Sequence, residues 1–235
     1  MDKPRRLQVA KLGLVEYEPA LALQQSLVAA RLRDEVPDTL LLLEHPHVYT
    51  LGRGADDSFI KWSRPDVPFF RVSRGGQVTY HGPGQLVGYA IVRLDGAERD
   101  VFAYLRRIER ALIDTLAGLG IDANRRDGFT GVWVGGRKIA SIGVGIRRWV
   151  TCHGFALNVA TDLSYFDAIV PCGIDGCEMT SLARLGRAGV SVSACADLVA
   201  ANFARVFDRT EIVSVDAASL TSLRDCGAIA IEAAR

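Results

Sequence analysis

Residues 130–160 read TGVWVGGRKIASIGVGIRRWVTCHGFALNVA. Two apolar segments flank the pair Gly135-Gly136, and a third strand-like stretch begins at Trp149. A glycine pair accepts the positive φ angles of the tight turns that join antiparallel strands, so the segment predicts a hairpin continued by a further strand. A chain with this core must build a sheet and cover it with whatever helices it has.

Those helices are few. PALALQQSLVAARLRDE, residues 19–35, places Leu23, Leu27 and Ala30 on one face behind an opening Pro19. DVFAYLRRIERALIDTLAGLG, residues 100–120, has Asp100 as N-cap, Gly120 as stop and a stripe of Phe102, Leu105, Ile108, Leu112 and Leu116. A last helix is predicted within 193–208, with Ala196, Leu198, Val199, Phe203 and Val206 as its apolar contacts. A short helical segment is predicted at DLSYFDAI, and a short strand and a small helix after residue 209. Strands are predicted at 7–15, at PFFRVSR and at 85–94. The run DTLLLLEH, 38–45, is continuously apolar and suits a strand buried on both sides. Strands outnumber helices without βαβ alternation. The expectation is one α+β domain over 1–235, with a mixed, mostly antiparallel sheet and packed helices.

A formal charge of +1 gives no global field for nucleic acid, and no nucleic-acid partner is expected. Arg147-Arg148, Arg106-Arg107 and Lys3-Pro4-Arg5-Arg6 read as solvated surface. The N-terminal residues lack an apolar signal core and no stretch has the length of a membrane span, so a cytoplasmic protein with no membrane partner is expected. The cysteines, Cys152, Cys172, Cys177, Cys195 and Cys226, are odd in number and sparse, which favours reduced thiols. No C-x-x-C pair exists, and the His45/His47, Cys152/His153 and Cys172/Cys177 spacings do not match zinc sites, so no metal is expected.

Glycine, at 23 of 235 residues, exceeds the usual roughly 7 %. It gathers in LGRG (51–54), RGGQVTYHGPGQLVG (74–88) and GVWVGGRKIASIGVG (131–145), close to Arg74, His81, Lys138 and Asn158. Each cluster alone is explained by hairpin turns. Together they suit a site where backbone approaches a ligand. None is a P-loop, since Ile139 follows Lys138, and none is a dinucleotide fingerprint. In IVPCGIDGCEMTSL, residues 169–182, Cys172 stands between Pro171 and Gly173, a setting for a bend. A nucleophilic cysteine needs a cation or base nearby. His81, His153 and Lys138 are candidates, with Asp175 and Glu178 the nearby acids, and packing, metal-ligand and disulfide roles remain alternatives.

RGGQVTYHGPGQL, GVWVGGRKIASIGVGIRRWVTCHGFALNV and IVPCGIDGCEMTSL resemble three signature blocks of the octanoyl-[acyl-carrier-protein]:protein octanoyltransferases, and EHPHVYTLGRG (44–54) resembles a fourth. The similarity spans residues 44–182 in the family's order. His47 stands where the family often has proline, Met179 where valine is common, and Cys177 is an additional thiol.

The resemblance implies the fold of the biotin and lipoate protein ligase catalytic domains. It also implies transfer of an octanoyl group from octanoyl-acyl carrier protein, through an enzyme cysteine, to a lysine ε-amine. The acceptors would be lipoyl domains of 2-oxo acid dehydrogenase E2 subunits and the glycine cleavage H protein, and no cofactor is implied. The family's cysteine corresponds to Cys172 and its paired lysine to Lys138. Its substrate contacts fall on Arg74, Gly75, Gly76, Gln77, Val78, Thr79, Tyr80 and His81, on Ser141, Ile142 and Gly143, and on Gly154, Phe155 and Ala156. Lys138 as ammonium would stabilise the thiolate; as neutral amine it would take the acceptor's proton. Backbone N–H groups around Gly143 or Cys172 are candidate oxyanion donors. Two rivals are an ATP-dependent lipoate or octanoate ligase on the same fold, revealed by fatty-acid-dependent ATP–pyrophosphate exchange, and a non-catalytic acyl-protein or metal-binding module, revealed by thiol counting and metal analysis.

Overall fold

The computed structural model describes residues 5–62, 64–216 and 218–220. The predicted hairpin is present: β8 (Phe129–Val134) turns through Gly135 and Gly136, at φ 54° and 81°, into β9 (Arg137–Arg147). Both angles lie in the left-handed region that a two-residue hairpin turn requires. β9 pairs antiparallel with β10 (Val150–Asn158).

These strands form one end of an eight-stranded sheet. It is completed by β1 (Arg6–Leu14), β2 (Asp38–Glu44), β6 (Gln85–Ile91), β7 (Asn124–Arg126) and β11 (Glu211–Ser214), in the order β11-β1-β2-β6-β10-β9-β8-β7. The β11–β1 and β1–β2 pairs are parallel and the other five antiparallel. The expected mixed, mostly antiparallel sheet is therefore what forms.

Its two faces are both covered. In β2, Leu40 and Leu42 enter one core while Leu41 and Leu43 enter the other. That is the strand alternation that lets a continuous apolar run satisfy two layers. Helix α1 (Tyr17–Leu32) covers one face through Ala20, Leu23, Leu27 and Val28. Helices α2 (Val101–Gly118) and α3 (Val192–Val206) cover the other through Ile108, Leu112, Leu116, Val199 and Phe203.

The Asp100 carboxylate accepts from the Ala103 N–H at 3.0 Å and caps α2. Gly120, at φ 71°, closes it, with Ile121 N–H donating to the Leu116 carbonyl at 2.9 Å. The expected stripe on α2 is rotated: Phe102 is 80 % exposed, while Tyr104, Ala111 and Thr115 are buried. At 100° per residue Phe102 stands about 120° from Ile108, off the face that meets the sheet. Leu198 of α3, also expected inside, is 37 % exposed.

Of the paired arginines, Arg106 is exposed and only Arg107 is partly buried. Arg106 bonds the buried Glu109, and Arg107 bonds Glu98 and the Val206 carbonyl and lies over the Phe207 ring. Arg147 and Arg148 are exposed. Arg5 pairs with Glu98 and Arg6 with Glu211, while Lys3, Pro4 and Cys226 lie outside the described residues.

A second sheet of β3 (Val48–Leu51), β4 (Phe69–Arg71) and β5 (Val78–His81), in the order β4-β3-β5, lies beside the first. A short helical turn at Leu163–Ala168, as expected for DLSYFDAI, packs on it through Phe166 and Ala168. Among the described residues no helix is long and apolar enough to cross a membrane.

Candidate active site

Lys138 is the second residue of β9, and its side chain is 1 % exposed. Gly131 across the hairpin makes room for it. A Cβ there would sit 2.6 Å from Lys138 Cε, and φ at Gly131 is +139°. The ammonium lies 5.1 Å from the centre of the Trp133 ring and donates to Cys172 Sγ at 3.0 Å.

Cys172 reaches this point on the predicted bend. Pro171–Gly173 form one 3-10 turn, with Gly173 N–H on the Val170 carbonyl at 3.0 Å and Ile174 N–H on the Pro171 carbonyl at 3.1 Å. Cys172 itself has φ 58° and ψ 16°. The left-handed region is uncommon for a residue with a Cβ, and strain of that kind gathers at functional positions. Beyond the bend the chain is fastened to the sheet. Lys138 N–H donates to the Glu178 carbonyl, Thr180 N–H to the Lys138 carbonyl, and Leu182 N–H to the Asn158 carbonyl, at 2.8, 2.9 and 3.0 Å.

Two opposed effects set the acidity of the Cys172 thiol. Burial pushes it up. The charge and hydrogen bond of Lys138, the Ser141 hydroxyl 3.7 Å away and the charge of Arg74 outweigh burial and hold the thiol below its ordinary value. Cys152, Cys177 and Cys195 are free thiols that burial pushes the other way. No group of three or more His, Cys, Asp or Glu side chains able to hold a metal ion occurs among the described residues.

The sulfur opens on a cavity of about 250 Å³ between the α1 side of the main sheet and the second sheet. Of the sequence-predicted residues, Arg74, Gly76, Gln77, Thr79, His81, Ser141, Ile142, Gly143, Gly154, Phe155, Ala156 and Cys172 line it. Gly75, Val78, Tyr80 and Lys138 do not. Val78 and Tyr80 alternate with Thr79 and His81 along β5 and point into the apolar cluster under the second sheet. Gly75 N–H is bonded to the Val144 carbonyl.

Arg74 is buried, yet its Nη1 donates to the Gly75 and Gln77 carbonyls and its Nη2 to the carbonyl and hydroxyl of Thr50. Gly143 lets this guanidinium stem lie against β9, where a Cβ would be 3.0 Å from Arg74 Cδ. His81 and His153 make no bond to the sulfur. His81 Nδ1 bonds Gln85 at 2.8 Å, and His153 Nε2 bonds Ser73 Oγ at 3.2 Å.

Sequence reasoning did not place Tyr17, Tyr89 or the hairpin segment Gly128, Phe129 and Thr130 on this cavity, while His153, a candidate partner of Cys172, does line it. Tyr17, Tyr89 and His153 come from α1, β6 and β10, and only long-range pairing brings them together.

A mixed sheet covered by helices on both faces is the architecture of the lipoyl protein ligase A/B catalytic domain class, whose family model matches residues 16–204. The fold agrees with solved structures of that class. Lipoate-protein ligase A bound with ATP superposes with a TM-score of 0.69 at 16 % identity, covering 95 % of this chain and 93 % of that one. The bipartite lipoate protein ligase of Thermoplasma acidophilum, studied with its E2 lipoyl domain, superposes at 0.68 and 18 %, covering 93 % and 91 %. Within the class the chain belongs to the octanoyltransferase family. It is 51 % identical over 211 residues to the octanoyltransferase of Solibacter usitatus, covering 87 % of this chain and 94 % of that one. It is 49 % identical over 198 residues to that of Geobacter sulfurreducens, covering 84 % and 83 %.

Proposed function

We propose that Cys172 carries the octanoyl group as a thioester, accepting it from octanoyl-acyl carrier protein and passing it to a lysine ε-amine of a lipoyl domain. The observation that carries this reading is the 3.0 Å contact between the buried Lys138 ammonium and a thiol held below its ordinary value. In the first half-reaction the Cys172 thiolate adds to the thioester carbonyl. The carrier's C–S bond breaks, and the departing phosphopantetheine thiolate takes a proton from Lys138, which is left as a neutral amine. One thiolate replaces another, so the step is close to thermoneutral. In the second, the acceptor amine adds to the Cys172 thioester, its proton passes to Lys138, and the Cys172 thiolate leaves as the amide forms. Gly173 and Ile174 N–H groups are committed to carbonyls, so the oxyanion donor on this bend is assigned to the Cys172 N–H.

The acyl chain lies in the cavity. Burying its methylenes at about 0.8 kcal/mol each contributes roughly 5 kcal/mol, enough to hold the group in register with the sulfur. The donor is the octanoyl carrier protein, and the acceptors are lipoyl domains of 2-oxo acid dehydrogenase E2 subunits and the glycine cleavage H protein.

The test is intact mass after mixing with octanoyl-acyl carrier protein in the absence of ATP, followed by rapid peptide mapping. Octanoyl on Cys172, chased onto added lipoyl domain, is expected. A Cys172→Ser variant that forms the amide at full rate would instead establish direct attack on the carrier thioester.

A further inference from the structure

His153 breaks the side-chain alternation of β10. Its pairing partner on β9 is Val144, and Val144 packs with Ile142 and Ile146 against the core under α2 and α3. An ordinary strand residue at 153 would face that core with Phe155 and Leu157. Instead φ at His153 is +57°, and the ring turns to the opposite side of the sheet. There it meets the Tyr89 ring edge-on at 6.2 Å, and its Nε2 bonds Ser73 Oγ at 3.2 Å.

The turned backbone is held by Gln24 of α1, whose Oε1 accepts from His153 N–H at 2.9 Å. Gln24 is 1 % exposed, does not line the cavity, and leaves its own Nε2 without a partner. A buried amide with an unmet donor, holding a left-handed histidine, is a costly arrangement that core packing alone does not call for.

The cavity gives the arrangement a use. It runs along β9 and β10 from Ser141 and Ala156, beside the sulfur, past Gly143 and Gly154, to His153. Three residues of strand span about 10 Å. An extended eight-carbon chain is about 9 Å long, from carbon–carbon bonds of about 1.5 Å set in zigzag. The His153 ring is 2 % exposed and the Ser73 it bonds is exposed, so the ring closes this end close to the protein surface. Burial holds the ring's charged form down, to about 4, so it meets the alkyl terminus as a neutral surface.

Resting on the Cys172 relay described above, we infer that the His153 ring is the end wall that limits acyl length. Gln24 is the positioning residue that turns that ring into place. Each methylene that gains burial multiplies affinity about four-fold, so a site without an end wall favours longer chains and only a block makes eight carbons the limit.

The experiment compares Cys172 loading from octanoyl-, decanoyl- and dodecanoyl-acyl carrier protein by intact mass. It uses the parent protein, Gln24→Leu and His153→Gly, each checked for a cooperative thermal transition. Glycine accepts the left-handed backbone, so His153→Gly keeps the path of β10 while removing the ring. The expected result is a decanoyl-to-octanoyl loading ratio raised about ten-fold in both variants. Unchanged ratios in a folded His153→Gly protein would remove the wall, and a raised ratio there with none in folded Gln24→Leu would remove Gln24 as its positioner. Absence of octanoyl loading in the parent protein would fault the relay reading and not the wall.

Discussion

Lys138→Met is the sharpest perturbation of the proposed chemistry, because it removes a charge and keeps most of the side chain's length. Opposite unit charges 3.0 Å apart attract by about 5 kcal/mol at an effective dielectric of 20. Lys138 is 1 % exposed, so solvent does little to screen the pair. At 1.36 kcal/mol per decade, the loss depopulates the thiolate by on the order of 10³-fold or more at neutral pH. The Arg74 charge and the Ser141 contact remain, while burial still opposes ionisation.

The assay is the rate of Cys172 alkylation by iodoacetamide against pH, followed by peptide mass. The parent protein should alkylate Cys172 at pH 7 well ahead of Cys152, Cys177 and Cys195, whose thiols burial pushes up. Lys138→Met should slow Cys172 at least 100-fold at that pH and move its profile upward. A folded Lys138→Met protein with the parent's rate at pH 7 would refute the reasoning. Lys138→Arg separates the two roles of the lysine: a guanidinium keeps the thiolate, and with it alkylation, but takes no proton from the acceptor amine.

Gly131→Ala would put a methyl 2.6 Å from Lys138 Cε and 2.7 Å from the Ala140 carbonyl, at a φ of +139°. It should cut transfer at least ten-fold and lower stability by about 1–3 kcal/mol, measured by steady-state rate and urea midpoint. Asp38, buried between Arg31 at 2.9 Å and Arg209 at 2.7 Å, should cost about 3 kcal/mol as Asp38→Asn, because the fully buried Arg209 then loses the nearer of its two counter-charges and keeps only Glu98 at 3.5 Å. Burial first of all pushes His45 and His153 to about 4 and His81 to about 3. The unfolded chain therefore binds more protons than the folded one below 6.5. The stability these rings contribute is complete above that pH and falls as pH drops from 6.5 toward 4, by up to about 4 kcal/mol per pH unit for three protons. Urea melts at pH 7 and 5 measure it.

What the sequence disclosed was what neighbouring residues decide among themselves. DTLLLLEH announced a strand with two buried faces, the Gly135-Gly136 pair a hairpin, and Asp100 with Gly120 the ends of α2. Each follows from local backbone or burial rules. Cys172 on a bend was also legible, since Pro171 and Gly173 flank it. The angular setting of α2 was not, because Phe102 and Ile108 are both apolar and only the sheet decides which is covered. Nor was the far end of the cavity. Tyr17, Tyr89 and His153 are scattered in the chain, and His153 turns against its strand through a bond from Gln24, 129 positions away. Gly131 read as one more turn glycine, although its place in β8 is where Lys138 needs space.

The left-handed backbone at Cys172 bears on how such a protein can be improved. Glycine occupies that region without the penalty a Cβ incurs, and the exchange would relieve roughly 1 kcal/mol. A search for heat-resistant variants that scored only survival of the fold would therefore drift toward glycine at position 172 and discard the proposed nucleophile. Any such campaign on this enzyme has to select for acyl transfer at every round, because at this residue robustness and reactivity call for different side chains.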